Sequence, residues 1–394
     1  MTKQISSAME SFPGQQTVSS LVLGAGFFLT GSGTVMLGVL LPALSQEWGL
    51  RDDAAGFLLF LQFLGSAIGA LLTGANRIRS LMTGYGLLVV SACALAFAGP
   101  HLSFPVFFFF GLGLGTTMTA TSLLFSDRYS NDRAAVLERL NFGWSAGAMV
   151  GPVLFLPFLR RASLGPLFFT LQGLFLLLFA WVVFRERPEA TCAESMLNAS
   201  RVRDPAPLGF LLPLVALAMC AVGVESALSG WLTTYSQRAD PQRAGGAAFA
   251  TSLFWLGIVL SRLAFSTRLL AIVGRRRVLR ATLWGVAASV ALLVVAHNTA
   301  PIRLAAGLAG LCIGPIYPLL LSFLLERSPH GWIFAVAGMG SALFPWLTGL
   351  LSAHYGSLRY GLIAPCGAAL LMIVLLSVSL RPAASSVLSS PSHL

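Results

Sequence analysis

The sequence predicts an all-α membrane protein with twelve transmembrane helices, arranged as two parallel six-helix halves. Three observations lead to this fold class. Of the 394 residues, 56% are hydrophobic and only 10% are charged, whereas roughly 25% are charged in an ordinary soluble domain. Apolar runs that reach the about 20 residues needed for a membrane-spanning helix recur twelve times along the chain. The first six of these runs also resemble the second six.

The predicted spans form two groups of six, separated by a charged segment that contains prolines. Helices are predicted because runs of this length are too long for barrel strands and lack their polar alternation. The spans lie near 18–45, 54–75, 80–99, 103–126, 137–159 and 164–184, and near 207–235, 245–267, 277–297, 301–325, 332–354 and 359–380. The predicted domains are an N-terminal tail (1–17), an N-terminal half (18–184), a linker (185–206), a C-terminal half (207–380) and a C-terminal tail (381–394).

The basic residues predict the orientation of the chain in the membrane. If the spans alternate in direction, eighteen of the 25 basic residues fall on the side of the N-terminus and seven on the other side. Arg262, which lies in the eighth span, is counted with the first group. Because Lys and Arg accumulate in cytoplasmic loops, we expect a multi-pass protein of the plasma (inner) membrane with both termini and the linker in the cytoplasm. These loop residues account for the net charge of +11, so the charge does not indicate a nucleic-acid partner.

Short matches relate the two groups of spans to each other. "FLG" at 63–65 matches "WLG" at 255–257, "GLGLG" at 111–115 matches "GLCIG" at 310–314, and "GAMVGP" at 147–152 matches "GSALFP" at 340–345. The offset stays between 192 and 199 residues. An even number of spans in each group makes the repeat parallel, related by an axis along the membrane normal.

Several segments resemble one branch of a transporter family. "FFLTGSGTVMLGVLLPAL" at 27–44, "GLGLGTTMTA" at 111–120, "LNFGWSAGAMVGP" at 140–152, "VGVESALSGWLTTY" at 222–235 and "SLFWLGIVLSRL" at 252–263 are similar to helices 1, 4, 5, 7 and 8 of fucose-permease-like sugar transporters. These transporters belong to the major facilitator superfamily. The resemblance implies a secondary active transporter that moves a sugar or sugar-like compound by alternating access.

The sequence departs from that branch at the positions that couple transport to protons. Proton-coupled sugar permeases carry an aspartate in helix 1 and a glutamate in helix 4, and the alignment places Gly38 and Met118 there. The helix-4 arginine of drug-exporting relatives would fall near Phe107. None of these three residues can bind a proton or hold a charge, so any coupling must use another group.

Glu225 is the one acidic residue in the interior of a predicted span, and the other thirteen lie in loops, tails or span ends. A charged side chain in the hydrocarbon costs at least about 2.5–3.5 kcal/mol, and intramembrane carboxylates usually face a cavity. Ser229 lies one turn further along the same helix face. We expect Glu225 to bind substrate or carry a coupled proton, while the alternative is a structural acid that fixes helix 7 to a neighbour.

Amide and aromatic side chains supply the remaining candidates for substrate binding. Amides both donate and accept hydrogen bonds, as sugar hydroxyls do, and the resembling transporters use an amide of helix 5. Aromatic faces suit the C–H groups of a pyranose ring. The predicted binding residues are Gln62, Asn141, Trp144, Glu225, Ser229, Trp231, Trp255 and Tyr317. The alternatives are interhelical hydrogen bonds for the amides and membrane-interface anchors for aromatics such as Trp231 and Tyr235.

The two rival classes of function are a membrane enzyme and a non-transporting receptor or scaffold on the same fold. An enzyme is not predicted, because all five histidines lie at span ends or in tails and no catalytic or metal-binding spacing occurs. The alternative within transport is a proton-driven exporter of drug-like or amphipathic compounds. An aromatic and aliphatic cavity favours the exporter, whereas a polar cavity favours the sugar transporter. The expected partners are a small-molecule substrate, protons and the lipid bilayer. We expect a monomer without a cofactor.

Overall fold

The computed structural model describes residues 13–129, 133–159, 164–185, 208–265, 273–325 and 332–379. Most of the predicted N-terminal tail, nearly all of the linker and the C-terminal tail lie outside these residues. The structure therefore bears on the helices and on most of their connections.

Six long helices make up the N-terminal half. They are α1 (Pro13–Trp48), α2 (Asp52–Leu71), α3 (Arg77–Leu95), α4 (Pro100–Arg128), α5 (Arg133–Leu159) and α6 (Gly165–Arg185). Local chemistry sets some of their ends. The side chain of Asn76 accepts a hydrogen bond from the backbone N–H of Arg79, at 3.0 Å, and so caps α3. Gly49, with φ of +62°, turns the chain after α1.

The C-terminal half is divided into more helices. It contains α7 (Leu208–Ala239), a 3₁₀ turn (Pro241–Gly246), α8 (Ala248–Phe265), α9 (Arg275–Val295), α10 (Thr299–Ile313), α11 (Ile316–Leu325), α12 (Trp332–Tyr355), α13 (Leu358–Gly361) and α14 (Ile363–Ser379). The predicted tenth span breaks into α10 and α11 at Gly314 and Pro315, where proline supplies no backbone N–H. The predicted twelfth span is divided between α13 and α14.

The helices are long and apolar enough to cross a membrane. Within the described residues there are eleven such spans, and Ala248–Ala264 is a shorter apolar helix. This shorter helix is the described part of the predicted eighth span. Together they confirm the predicted all-α fold of membrane-spanning helices.

The two halves repeat the same pattern of neighbouring helices. In the N-terminal half α1 packs on α5, α2 on α4, and α3 on α6. In the C-terminal half the corresponding pairs are α7 on α12, α8 on α10, and α9 on α14. This correspondence is the one expected of a parallel repeat.

Among the described residues, the main helix pairs that join the halves are α1 with α7, α2 with α12, and α5 with α8. Glycines lie where two of these pairs come closest. A Cβ atom on Gly38 would lie 2.7 Å from the Cα atom of Gly230 on α7, and one on Gly56 would lie 3.2 Å from the Cα atom of Gly349 on α12. The backbones of α1 and α7 touch at Gly38, so no larger side chain fits where the sugar permeases carry their aspartate.

Candidate functional site

Two tryptophans meet across the contact between α5 and α8. The ring centroids of Trp144 and Trp255 are 5.1 Å apart and the rings are almost perpendicular, at 81°. This edge-to-face arrangement is a favourable one for aromatic pairs. Trp255 is 2% exposed, and its Nε1 atom donates a hydrogen bond to Oγ of Ser229 on α7 at 3.0 Å. The indole N–H of Trp144 is buried and has no partner among the described residues. Three of the predicted binding residues are thereby brought together.

An arginine extends this cluster along α8. Nη1 of Arg262 donates a hydrogen bond to Oγ of Ser145 on α5 at 2.5 Å. Ser145 is completely buried, and its hydroxyl donates in turn to the backbone carbonyl of Asn141 at 2.8 Å. The Nε atom of Arg262 is buried without a hydrogen-bond partner in the described part of the chain. The arginine is thus held by one nitrogen, while another of its donors remains unused.

Glu225 supplies the opposite charge. It interacts electrostatically with Arg262 and with Tyr317 of α11. Its side chain makes no hydrogen bond to any other described residue, and the residue keeps some accessible surface although it lies mid-way along α7. A cation and an acid therefore face each other where α5, α7, α8 and α11 approach. Such a site can bind an anion, exchange a proton, or do both.

The two predicted amide ligands lie outside this cluster of contacts. Gln62 is 1% exposed and donates through Nε2 to the carbonyl of Thr34 on α1 at 2.8 Å, an interhelical bond of the kind predicted as its alternative. Its Oε1 atom is buried and has no partner among the described residues. Asn141 is exposed. Its backbone carbonyl accepts a hydrogen bond from Ser145, which in turn accepts one from Arg262.

The two aromatics near the end of α7 are enclosed rather than placed at a lipid surface. Trp231 is completely buried and donates through Nε1 to the carbonyl of Pro345 on α12 at 2.9 Å. Tyr235 is 4% exposed and its hydroxyl donates to the carbonyl of Leu293 on α9 at 2.5 Å. Both residues fix α7 to its neighbours, and Trp231 leaves no surface for a ligand in this conformation.

Sequence reasoning missed Arg262 as a site residue. It was counted among the basic residues that orient the membrane protein, whereas the structure places it within α8, in contact with α5 and beside Glu225. The signal was present, since Arg262 falls inside the predicted span 245–267. An ionisable group in a span is a candidate functional residue on the same physical grounds as Glu225.

The described helices define a multi-pass membrane protein, and the charged cluster lies where its two halves meet. The sequence model of the Major Facilitator Superfamily matches residues 23–246. That match covers more than half of the chain, and the chain belongs to this superfamily.

Similar proteins include carriers of aromatic acids. A 4-hydroxybenzoate transporter, PcaK, of Acinetobacter baylyi is 31% identical over 131 residues, which cover 32% of this chain and 29% of the relative. A niacin transporter, NiaP, of the same organism is 29% identical over 139 residues, covering 33% of this chain and 31% of the relative. The PcaK protein of Pseudomonas aeruginosa is 29% identical over 204 residues, covering 48% and 44%. The chain thus spans less than half the length of the curated relatives it matches.

A solved structure with a similar fold is that of the nucleoside transporter NupG. One form of it matches with a TM-score of 0.74 and 12% identity, over 92% of this chain and all of the other. A second form gives a TM-score of 0.70. At this identity the likeness concerns the fold alone.

Proposed function

We propose that this protein transports a small aromatic carboxylate by alternating access, with Arg262 as the residue that binds the carboxylate group. The observation that carries the proposal is the state of this arginine. It lies where α5 and α8 join the halves, its Nη1 atom is bound to Ser145, and its buried Nε atom has no hydrogen-bond partner among the described residues. Trp144 and Trp255 pack against each other on the same two helices.

The free edge of the guanidinium has the geometry that a carboxylate needs. Ser145 accepts from Nη1, and the Nε atom, which forms a side-on edge of the guanidinium together with Nη2, is buried without a hydrogen-bond partner among the described residues. Two parallel N–H···O bonds from such an edge to a carboxylate are stronger and more directional than neutral hydrogen bonds. A hydrogen bond to a charged group contributes about 1.5–3 kcal/mol, which corresponds to roughly tenfold to a hundredfold in affinity.

The aromatic pair supports a planar solute. Flat rings pack edge-to-face or offset on tryptophan, and each such contact is worth about 0.5–1.5 kcal/mol beyond the buried area. The named substrates of the relatives, 4-hydroxybenzoate and niacin, agree with a ring that carries a carboxylate.

We further propose that Glu225 carries a coupled proton. Gly38 and Met118 cannot bind a proton. Glu225 can, and it interacts electrostatically with Arg262, the cation to which the substrate carboxylate would bind. A substrate carboxylate close to Glu225 favours the protonated form of this acid, because two like charges oppose each other. Coupling requires that the affinity for the proton differ between the two facing states.

A sugar is the second candidate substrate, and one observation favours it. The Oε1 atom of Gln62 is buried without a partner among the described residues, so it could accept a hydrogen bond from a hydroxyl group. The aromatic pair suits a pyranose ring as well. An exporter of amphipathic compounds would use the same aromatic surface but would gain nothing from the free edge of Arg262.

The orientation of the chain in the membrane and its division into two halves and a linker are proposed from the sequence. We propose that the halves (18–184 and 207–380) are joined by a cytoplasmic linker (185–206) in the plasma membrane, with both termini in the cytoplasm and the protein a monomer. Cysteines placed at Arg128 and Arg277 should react with an impermeant reagent only from the cytoplasmic side.

Uptake by the purified protein in proteoliposomes tests the proposed substrate class. We expect labelled 4-hydroxybenzoate or nicotinate to accumulate, and unlabelled benzoate to compete with it. Uptake of a labelled hexose that aromatic acids do not inhibit would instead support the sugar transporter.

A further inference from the structure

An ion pair joins the two halves at the end of the molecule that carries the α1–α2 connection. Asp52 begins α2, and Arg238 lies in the last turn of α7. Arg238 donates through Nη1 and Nη2 to the two carboxylate oxygens of Asp52, at 2.7 and 2.6 Å. Oγ of Ser352 on α12 donates to the same carboxylate at 2.5 Å. One carboxylate of the N-terminal half is therefore held by two helices of the C-terminal half.

The ion pair lies at the end of the closest backbone contacts between the halves. A Cβ atom on Gly349, one turn before Ser352, would collide with the backbone carbonyl of Asp52. A Cβ atom on Gly56, one turn after Asp52, would lie 3.1–3.2 Å from backbone atoms of Pro345, Trp346 and Gly349 of α12. The polar contact and the glycine contacts close the same end of the molecule.

At the opposite end, two described polar contacts near the helix termini lie within the N-terminal half. The hydroxyls of Ser20 on α1 and Tyr129 after α4 are 2.7 Å apart, and Arg77 of α3 lies 3.7 Å from Asp127 of α4. Both pairs join helices of the N-terminal half.

We propose that Asp52, Arg238 and Ser352 form a lock that holds the α1–α2 end closed and that must break each time the halves rock apart at that end. The side chain of Asp52 is 11% exposed and that of Arg238 is 44% exposed, so water partly screens the pair. Its two parallel bonds nevertheless exceed an ordinary surface ion pair in strength and direction. Loss of the lock shifts the population toward the state that is open at this end, because it removes interactions that only the closed state makes.

A buried reporter beside the lock measures this shift without any substrate. Leu59 of α2 is 1% exposed, and its side chain lies against Gly230 of α7, so it becomes accessible when α2 and α7 separate. We would introduce Leu59→Cys into a background without the five native cysteines and follow its reaction with an impermeant maleimide in nanodiscs. Because no ligand takes part, failure of the lock and failure of the proposed substrate class are separate results.

We expect Asp52→Asn and Arg238→Gln each to raise the labelling rate about threefold to tenfold, and Ser352→Ala to raise it less. Asp53→Asn is the matched control, since Asp53 is the neighbouring carboxylate and pairs at 3.5 Å with Arg51 of its own half. The exchanged pair Asp52→Arg with Arg238→Asp should return the rate toward that of the parent. Ser352→Ala keeps both charges and covers the case in which a charge variant does not fold.

Labelling rates in Asp52→Asn, Arg238→Gln and Ser352→Ala that equal the parent rate would overturn the proposal. An equal increase in Asp53→Asn would also overturn it, because the effect would then be one of surface charge and not of a contact between the halves.

Discussion

Arg262 of α8 is bound to Ser145 of α5 through a single nitrogen, Nη1, across the contact between the two halves. The hydrogen bond fixes the position of the guanidinium and leaves its buried Nε atom without a hydrogen-bond partner among the described residues. The substrate class, the role of the tryptophans and the coupling to protons can each be tested from this relationship.

Replacing Arg262 by lysine should weaken transport of aromatic acids. Lysine keeps the positive charge but cannot offer two parallel donors, so we expect KM to rise about tenfold or more. Arg262→Gln, which also loses the charge, should be more severe. Arg280→Lys is the control, since Arg280 is exposed on α9. Unchanged KM in Arg262→Lys, measured as initial uptake into proteoliposomes, would remove Arg262 from the binding site.

The hydrogen bond between Trp255 and Ser229 should orient the aromatic surface for the substrate. Trp255→Phe retains a ring but loses the donor, and we expect an affinity loss of about twofold to tenfold, typical of one neutral hydrogen bond. Ser229→Ala should have a similar effect, and the double variant should be little worse than either single one. Trp284→Phe serves as control because Trp284 is 61% exposed. Strict additivity of the two losses would contradict a shared role.

Glu225→Gln separates coupling from binding. The substitution keeps the size and hydrogen-bonding groups of the side chain but cannot release a proton. We expect accumulation driven by a pH gradient to be lost, while counterflow exchange of substrate across the same liposome membrane continues. Glu47→Gln, at an exposed acid near the end of α1, should leave both activities intact. Persistent accumulation in Glu225→Gln would show that another group carries the proton.

Gly38→Ala tests the contact between α1 and α7. The new Cβ atom would lie within 3 Å of the Gly230 and Ser229 backbone, so the closed state must open slightly or the protein must lose stability. We expect a lower melting temperature and faster labelling of the Leu59→Cys reporter. Gly24→Ala on the same helix meets nothing within 4 Å and should change neither. Equal melting temperatures for the two variants would contradict the close backbone contact.

The span pattern and the parallel repeat were readable from the sequence, because the lengths of apolar runs directly reflect membrane thickness. The tenth span was predicted as one run, and its break at Gly314 and Pro315 has its physical reason in the missing backbone N–H of proline. The contact at Gly38 could not be predicted from the sequence. A glycine at this position shows that the acid is absent, but it does not show that another helix occupies the space of the side chain.

Within the site, the sequence indicated Trp144, Ser229 and Trp255 but could not show that they touch, because they lie on three helices far apart in the chain. Arg262 was missed because a basic residue near a span end resembles a loop charge. Its distance to Ser145 depends on how α5 and α8 pack, which no local pattern encodes.

The most direct test of the proposed carboxylate site compares each acid with its amide. 4-Hydroxybenzoate and 4-hydroxybenzamide, or nicotinate and nicotinamide, share ring and size but differ in the charge that Arg262 would bind. We would titrate each as an inhibitor of labelled 4-hydroxybenzoate uptake by the parent protein and by Arg262→Gln. The predicted result is that the acids inhibit the parent at concentrations at least about tenfold lower than the amides do, and that this preference disappears in Arg262→Gln. Equal inhibition of the parent by acid and amide, or an acid preference that survives in Arg262→Gln, would contradict the account.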